Sequence, residues 1–419
     1  MQERSGFMDS KRTLLDIFHV SESYKLPDAI MDALLSDNAE SIIRLVKKST
    51  HDDIRDIFQQ EQGDRKTLKQ DFTPDCICAM VAKMMKPGSV LDMCSGTGAL
   101  SKAAAKEHGI KICEQEFSER TIPFALLDAC IDGLEGSISR ADCLRGNIMQ
   151  TYHLEKNNDI SIPKQVEPEE MGCFDNVIMN PPYSMKFPEA DEMPIMGHKI
   201  PKSKADYGFI LRGVQHLKDD GRLIAILPHG VLFRGAAEGK IREWLVKEHW
   251  ISAVIGLPDK LFLNTAIPVF LLILEKNSPD ILFIDASRRF EKKSAQNDMS
   301  QEQIRDVADA FFTRKDAEKY AYVASYQEIK YNDYNLNIPR YVDMFEPEPL
   351  PDAEAILKEL QKIENEERKT RKELYEMLGE LVGSKGDMNV MKEHRKLLKP
   401  QNTRNTFRQM TLEDYENAM

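Results

Sequence analysis

Apolar positions in this chain follow two different periods, and the middle of the sequence alternates between them. Short apolar runs at 89–92, 110–113, 137–139, 174–179, 222–227, 251–257 and 267–274 predict buried strands. The intervening segments 99–106, 122–131, 206–217 and 237–246 predict helices. Alternation from about residue 72 to 285 implies an α/β class, with a doubly wound, mostly parallel sheet of about seven strands. Residues 1–70 are polar and helical in pattern, with amphipathic pieces at 29–35 and 42–46, and predict a small cap or docking region. Residues 151–172 predict a polar, proline-containing loop, 184–203 a mobile stretch rich in Pro and Lys, and 287–306 a charged linker. A long helix is expected over 352–382, with apolar residues at 353, 356, 360, 363, 374, 377 and 381, interrupted at Glu367 and Thr370. The tail from 383 reads as polar. The expected division is 1–70, a helical region; 71–285, the α/β domain; 286–350, a linker and mixed extension; and 351–419, the C-terminal helix and tail.

Composition narrows this picture without redirecting it. The 419 residues are 42% hydrophobic and 30% charged, ordinary for a soluble protein with a large core. No apolar run reaches the roughly 18 residues of a membrane span, and residues 1–13 mix acids with bases, unlike a signal peptide. Seven scattered cysteines, with Cys76 and Cys78 only two apart, match no zinc spacing and predict reduced thiols in a cytoplasmic protein. The net charge of -12 argues against a chain that wraps nucleic acid unaided, because phosphate contacts need clustered Lys and Arg. A partner is expected to supply part of any DNA contact.

The candidate chemistry lies where strands end. The run 174–179 passes directly into Asn180-Pro181-Pro182-Tyr183. Proline cannot continue a central ladder, so the strand stops at the carboxyl edge of its sheet, where open α/β folds bind ligands. The stiff turn presents the Asn180 side chain, the Pro181 carbonyl and the Tyr183 ring together. Two acceptors beside an aromatic face suit a planar target carrying an NH2 group. The acceptors take the amino hydrogens and leave the nitrogen lone pair nucleophilic, while the ring stacks.

A second set of residues points to a cofactor. Asp71-Phe72-Thr73-Pro74 opens a helix, with Thr73 as the expected cap and Pro74 at the first helical position. Strand 89–92 ends at Asp92, and the turn Gly96-Thr97-Gly98 leads into the next helix. This is neither a dinucleotide fingerprint nor a phosphate loop. A carboxylate repels phosphate but binds an ammonium group or hydroxyls, so a cationic nucleoside such as S-adenosylmethionine fits. Glu116, past the second strand, occupies the place where such folds hold ribose hydroxyls. Asp142, past the third, is placed to take the exocyclic amine of the cofactor adenine or, equally, to cap a turn.

These blocks resemble the methylation (M) subunit of type I restriction–modification systems, a family of N6-adenine DNA methyltransferases. The likeness covers about residues 70–350. It runs in order through Asp71 to Pro74, Asp92 to Gly98, Glu116, Asp142, Asn180 to Tyr183, Leu227 to Arg234, Gly239 to Arg242, Ile255 to Pro258 and Asn264-Thr265. The resemblance implies an S-adenosylmethionine-dependent methyltransferase fold. It implies that Thr73, Pro74, Gly96, Thr97, Gly98 and Glu116 contact the cofactor, and that Asn180 to Tyr183 form the catalytic pocket. Phe262 would then offer a second aromatic to a flipped base. Departures are the shorter segment before Phe72 and Ala99 where the family often has a second glycine. His229 reads as a loop-packing residue, because amine methylation needs no strong base. Arg234 and Lys240 read equally as phosphate contacts and as a solvated face.

Three functions compete. The leading one is methyl transfer to N6 of adenine in double-stranded DNA, with flipping at a cost of a few kcal/mol. The same Asn-Pro-Pro-Tyr chemistry would serve a protein glutamine or RNA, and a silent assembly subunit is the third. No target-reading segment is visible. The resemblance therefore implies a separate specificity subunit docked through the C-terminal helix, commonly with a second M chain, and a restriction subunit as a further candidate.

Overall fold

The structure, a computed structural model, describes residues 13–50, 54, 57–58, 72–263, 267–293, 296–343 and 352–399. It forms two units, 1–344 and 345–419. In the first, α1 (Leu26–Leu34), α2 (Ala39–Thr50) and α3 (Asp75–Met84) precede β1 (Val90–Met93), α4 (Ala99–His108), β2 (Ile112–Glu116), α5 (Ile122–Ile131) and β3 (Gly136–Asp142). Then come β4 (Asn147–Asn157), β5 (Ile160–Val166), β6 (Phe174–Met179), α6 (Asp206–Gln215), β7 (Leu217–Pro228), α7 (Ala236–Lys247), β8 (Ile251–Gly256), β9 (Val269–Leu274) and β10 (Asp280–Asp285). The unit ends with β11 (Glu291–Lys292), β12 (Asn297–Asp298), α8 (Gln301–Thr313), β13 (Ala321–Ser325) and α9 (Tyr326–Tyr331).

Eleven strands form one sheet in the order β13-β10-β8-β9-β7-β6-β1-β2-β3-β4-β5. Its centre is the expected seven, β8-β9-β7-β6-β1-β2-β3, parallel except that β9 runs antiparallel to both neighbours. Two strands are added at each end. Side chains alternate across the sheet. Leu91, Met93, Val177 and Met179 pack with α6 and α7 on one face, whereas Val90 and Ile178 pack with α3, α4 and α8 on the other. The helices α1 and α2 share a third cluster with α5, β3 and β4, so they pack onto the α/β core.

Several expectations need correction. Residues 151–172 are not a loop: β4 and β5 form an antiparallel hairpin with Tyr152 and Leu154 buried, turning at Asn158 with φ 59°. Pro163 is tolerated because β5 is the edge strand. The 184–203 stretch is anchored by buried Phe187, Ala190, Ile195 and Ile200. The 287–306 region is not simply a linker, since α8 begins at Gln301 with a Ser300–Gln303 capping box and buries Ile304, Val307 and Phe311. Helix α3 starts at Asp75 with Pro74 as its N-cap, one residue later than expected, and no side chain caps it.

In the second unit, α10 (Ala353–Glu380) is followed by α11 (Lys385–Leu397), a helix where a polar tail was expected. A Ser384–Asp387 capping box starts α11. Arg395 lies 4.2 Å over the Tyr375 ring, clasping the two helices together. Ile356, Leu360, Ile363, Leu374 and Met377 of α10 are exposed.

Candidate active site

The carboxyl ends of β1, β2, β3 and β6 open on one cleft. Phe72, Thr73, Gly96, Thr97, Glu116, Asp142, Asn180, Pro181, Pro182 and Tyr183 all line it. Gly98, Pro74, Asp92 and Phe262 do not, and Asp71 lies outside the described residues. Part of this edge follows from the sequence: Pro181 and Pro182 end β6, and the turn through Gly96 and Gly98 ends β1.

Asn180 is held at both ends of its amide. Its Nδ2 donates to Thr73 Oγ1 at 2.9 Å, and its Oδ1 accepts from the Tyr183 hydroxyl at 2.8 Å. The Thr73 hydroxyl, expected as a helix cap, is therefore spent on Asn180. An amide oxygen has two lone pairs and so can accept from two donors. Tyr183 in turn meets Phe262 edge to face, with centroids 6.4 Å apart and planes at 79°. Phe262 is buried behind Tyr183 rather than presented in the cleft.

Across the cleft, both Glu116 oxygens accept backbone N–H groups, from Gly96 at 3.0 Å and Ser118 at 2.7 Å. Burial pushes its carboxyl above the usual range in spite of these bonds. Asp142 is also engaged, accepting from the Leu144 and Arg145 amides at 3.1 and 3.0 Å and pairing with the Arg145 guanidinium. Arg145 reaches on to Glu189 at 2.9 Å. Asp142 is thus a turn-capping acid whose outer oxygen is already paired.

Asp92 points away from the cleft. Strand alternation turns it toward α4, where Oδ2 accepts from the Ser101 amide at 3.1 Å and Oδ1 has no partner. Its register partner on β2 is Glu114, a residue the sequence reading passed over. Both are buried, and burial with mutual repulsion raises Asp92 well above the usual carboxylate range, while burial pushes Glu114 up to about 7. Glu114 also explains Gly98, which has φ 80° at the start of α4: a Cβ there would lie 2.6 Å from Glu114 Oε1. Asp92 and Glu114 support the glycine turn from beneath instead of touching a ligand.

Other lining residues were also missed. Phe117 is 50% exposed directly after Glu116 and lines the cleft, as do Phe58, Cys94 and Leu144. An aromatic next to a strand-end acid was a readable signal. Phe58 was not readable, because it comes from the N-terminal region and reaches the cleft only by packing on Phe72 and Phe124. Away from the cleft, Arg234 pairs with Asp206 at 2.7 Å and Glu238 at 2.8 Å, which assigns it to internal structure. His229 lies edge-on to Phe270, its basicity lowered by burial.

Residues 56–349 match the model of the N-6 DNA methylase family. The chain belongs to that family. The type I restriction enzyme MpnII methylase subunit of Mycoplasma pneumoniae is 27% identical over 293 residues, covering 65% of this chain and 52% of the relative. The MjaVII methylase subunit of Methanocaldococcus jannaschii is 29% identical over 341 residues, 74% of this chain and 55% of the relative. The chain thus spans about half the length of these curated relatives. The crystal structure of the type I restriction–modification methyltransferase subunit from Streptococcus thermophilus superposes with a TM-score of 0.60 at 33% identity, covering 76% of this chain and 68% of that one. The architecture is the S-adenosylmethionine-dependent methyltransferase fold. Among the described residues, no helix is long and apolar enough to cross a membrane.

The cleft fits that cofactor on its own features. Glu116 supplies a fixed carboxylate with unused lone pairs for hydroxyls. Gly96, with φ 59°, has open space where a side chain would stand, so a ligand can approach the backbone. Phe58, Phe72, Phe117 and Leu144 give the apolar and aromatic wall that a nucleoside base requires.

Proposed function

We propose that this chain transfers a methyl group from S-adenosylmethionine to N6 of an adenine flipped out of double-stranded DNA, as the modification subunit of a restriction–modification complex. The observation carrying this reading is that Asn180 and Glu116 stand on walls of the same cleft, so a target amine and a ribose-anchored cofactor would share it. Bound S-adenosylmethionine would supply an electrophilic methyl carbon on its sulfonium.

The chain's own residues do the rest. Asn180 Oδ1 and the Pro181 carbonyl accept the two amino hydrogens, which localises the nitrogen lone pair toward the cofactor side of the cleft. Positive charge then develops on that nitrogen, and the two acceptors stabilise it more strongly than they stabilise the neutral amine. The proton leaves to water, so no general base is required. Tyr183 offers its ring for stacking, which returns about 1–3 kcal/mol against the few kcal/mol spent on flipping. Thr73 fixes the Asn180 amide so that its oxygen is turned to the cleft.

Under this reading, the partners are duplex DNA, a specificity subunit and a second M chain, with a restriction subunit as a further member. The exposed apolar positions of α10, set at helical spacing on a charged background, support a protein partner for that helix. The test is Asn180→Ala in the purified complex with labelled cofactor. Cofactor binding should be retained and DNA methylation should fall about 100–1000-fold. Label transferred to protein or RNA instead of DNA, or near-normal DNA methylation by the variant, would overturn the proposal.

A further inference from the structure

The chain segment directly after Tyr183 is built as a rigid two-legged loop. The Phe187 amide donates to the Lys202 carbonyl at 2.8 Å, and the Ala205 amide to the Met185 carbonyl at 2.8 Å, so 185–187 and 202–205 run side by side. Phe187, Ala190, Ile195 and Ile200 bury its inner face. Met185 lines the cleft and Phe187 is buried, and between them Lys186 is turned outward to solvent at the cleft mouth. At the loop tip the His198 ring lies 4.6 Å from Trp244 of α7, which brings exposed Lys199 beside that helix. Lys240 lies one helical turn before Trp244, hence on the same side of α7, and is exposed.

The charges around this surface are not balanced. Its acids are largely taken by other cations: Glu189 pairs with Arg145, Asp206 and Glu238 with Arg234, and Glu243 with Lys247. Glu192 and Asp333, the latter lining the same groove as Lys240, are the exposed exceptions. Lys186, Lys199 and Lys240 have no carboxylate within ion-pair distance among the described residues. In a chain of net charge -12, a row of unneutralised lysines running outward from the lip of the cleft is matched to an anionic polymer passing that lip.

We infer that Lys186, Lys199 and Lys240 form a ledge that grips the phosphate backbone of the DNA strand whose base enters the cleft. This rests on the DNA-methylation reading above. A strand entering base-first must present its flanking phosphates to the rim, and a rigid loop fixes where they sit. The lysines act as point charges along the backbone and carry no base information.

The experiment uses the full-length chain in the complex with which it purifies. Lys186→Ala/Lys199→Ala/Lys240→Ala is compared with wild type and with Lys48→Ala/Lys106→Ala/Lys156→Ala, which removes three exposed lysines elsewhere. The half-saturating DNA concentration for methylation is measured between 50 and 200 mM salt. Each lost phosphate contact should lower the log–log salt slope by about 0.9, so the ledge variant should be about 2.7 shallower than wild type. Over that fourfold salt range, wild type should lose about 40-fold more apparent affinity than the ledge variant. The control variant should keep the wild-type slope, and cofactor affinity and the rate at saturating DNA should be unchanged in all three proteins. An unchanged slope in the ledge variant would overturn the inference while leaving DNA methylation intact. So would an equal fall in the control, which would signify net charge, or loss of a partner subunit without a change in slope. A wild-type complex that methylates no DNA would overturn both readings, and is recognised before any variant is compared.

Discussion

Glu114→Gln should make the protein more stable above neutrality, and the reason lies beneath the glycine turn. Glu114 and Asp92 face each other across β2 and β1, buried, with one oxygen of each lacking a partner. The Ser101 hydroxyl contacts both Glu114 Oε1 and, at 3.0 Å, the Gly98 carbonyl. A single hydroxyl hydrogen cannot serve two acceptors. The arrangement is complete only if Glu114 carries a proton and donates to Ser101, which donates onward to Gly98. Glutamine can donate in the same place without ionising. The folded-state pKa of Glu114 is raised from 4.5 to about 7, so the wild type is penalised for ionising this group. Sign follows from linkage. Relative to the unfolded chain, the group's favourable contribution is fully present below about 4.5 and is lost as pH rises through about 7. The loss amounts to about 3 kcal/mol, accumulating at about 1.4 kcal/mol per pH unit between those limits. Urea unfolding of both proteins from pH 5 to 8 measures it. The variant's advantage should grow across that interval and level off above about pH 7. Parallel curves, or a variant that loses ground as pH rises, would refute the account in which a protonated Glu114 donates to Ser101.

Two other expectations follow from the geometry. Glu116→Ala should weaken S-adenosylmethionine binding by about 1.5–3 kcal/mol, roughly 10–150-fold, because it removes a charged acceptor; calorimetry reads it, and unchanged affinity would place the ribose elsewhere. A chain ending at residue 350 keeps the cleft residues and should bind cofactor normally, yet fail to co-purify with a specificity subunit. Retained assembly would move that interface out of the C-terminal unit.

How much of this was legible beforehand depends on how local the cause is. The central strands and helices were readable because their burial sets the pattern: both faces of β6, β7, β8 and β9 are covered, so each is an apolar run. The β4–β5 hairpin was misread although its signal was present. Tyr152 and Leu154 alternate with His153 and Glu155, and Asn157-Asn158-Asp159 is turn chemistry. Polar outward positions and Pro163 obscured it, both of which an edge hairpin permits. Helix α8 was obscured differently, since its charged outer face resembles a linker when read without period. Its Ser300–Gln303 box was the available sign.

The site divides along the same line. Asn180 to Tyr183 was legible because two prolines end a strand covalently, with no help from the rest of the fold. Glu116 was legible from its place past a strand, but the direction of Asp92 was not. A strand-end acid points either into the crevice or under the following helix, and its position along the strand relative to the carboxyl edge decides which. Here Asp92 lies level with Glu114 under the glycine turn, whereas Glu116, on the same face of β2 but two residues nearer its end, reaches the cleft. The same holds for Phe262. Its resemblance-based role put it against the base, whereas its burial puts it against Tyr183. Stacking gains most when the ring is already held in its plane, because an unrestrained ring loses rotamer freedom on binding. The edge-to-face contact with buried Phe262, and Asn180 accepting its hydroxyl, restrain the Tyr183 ring from two directions where it lines the cleft.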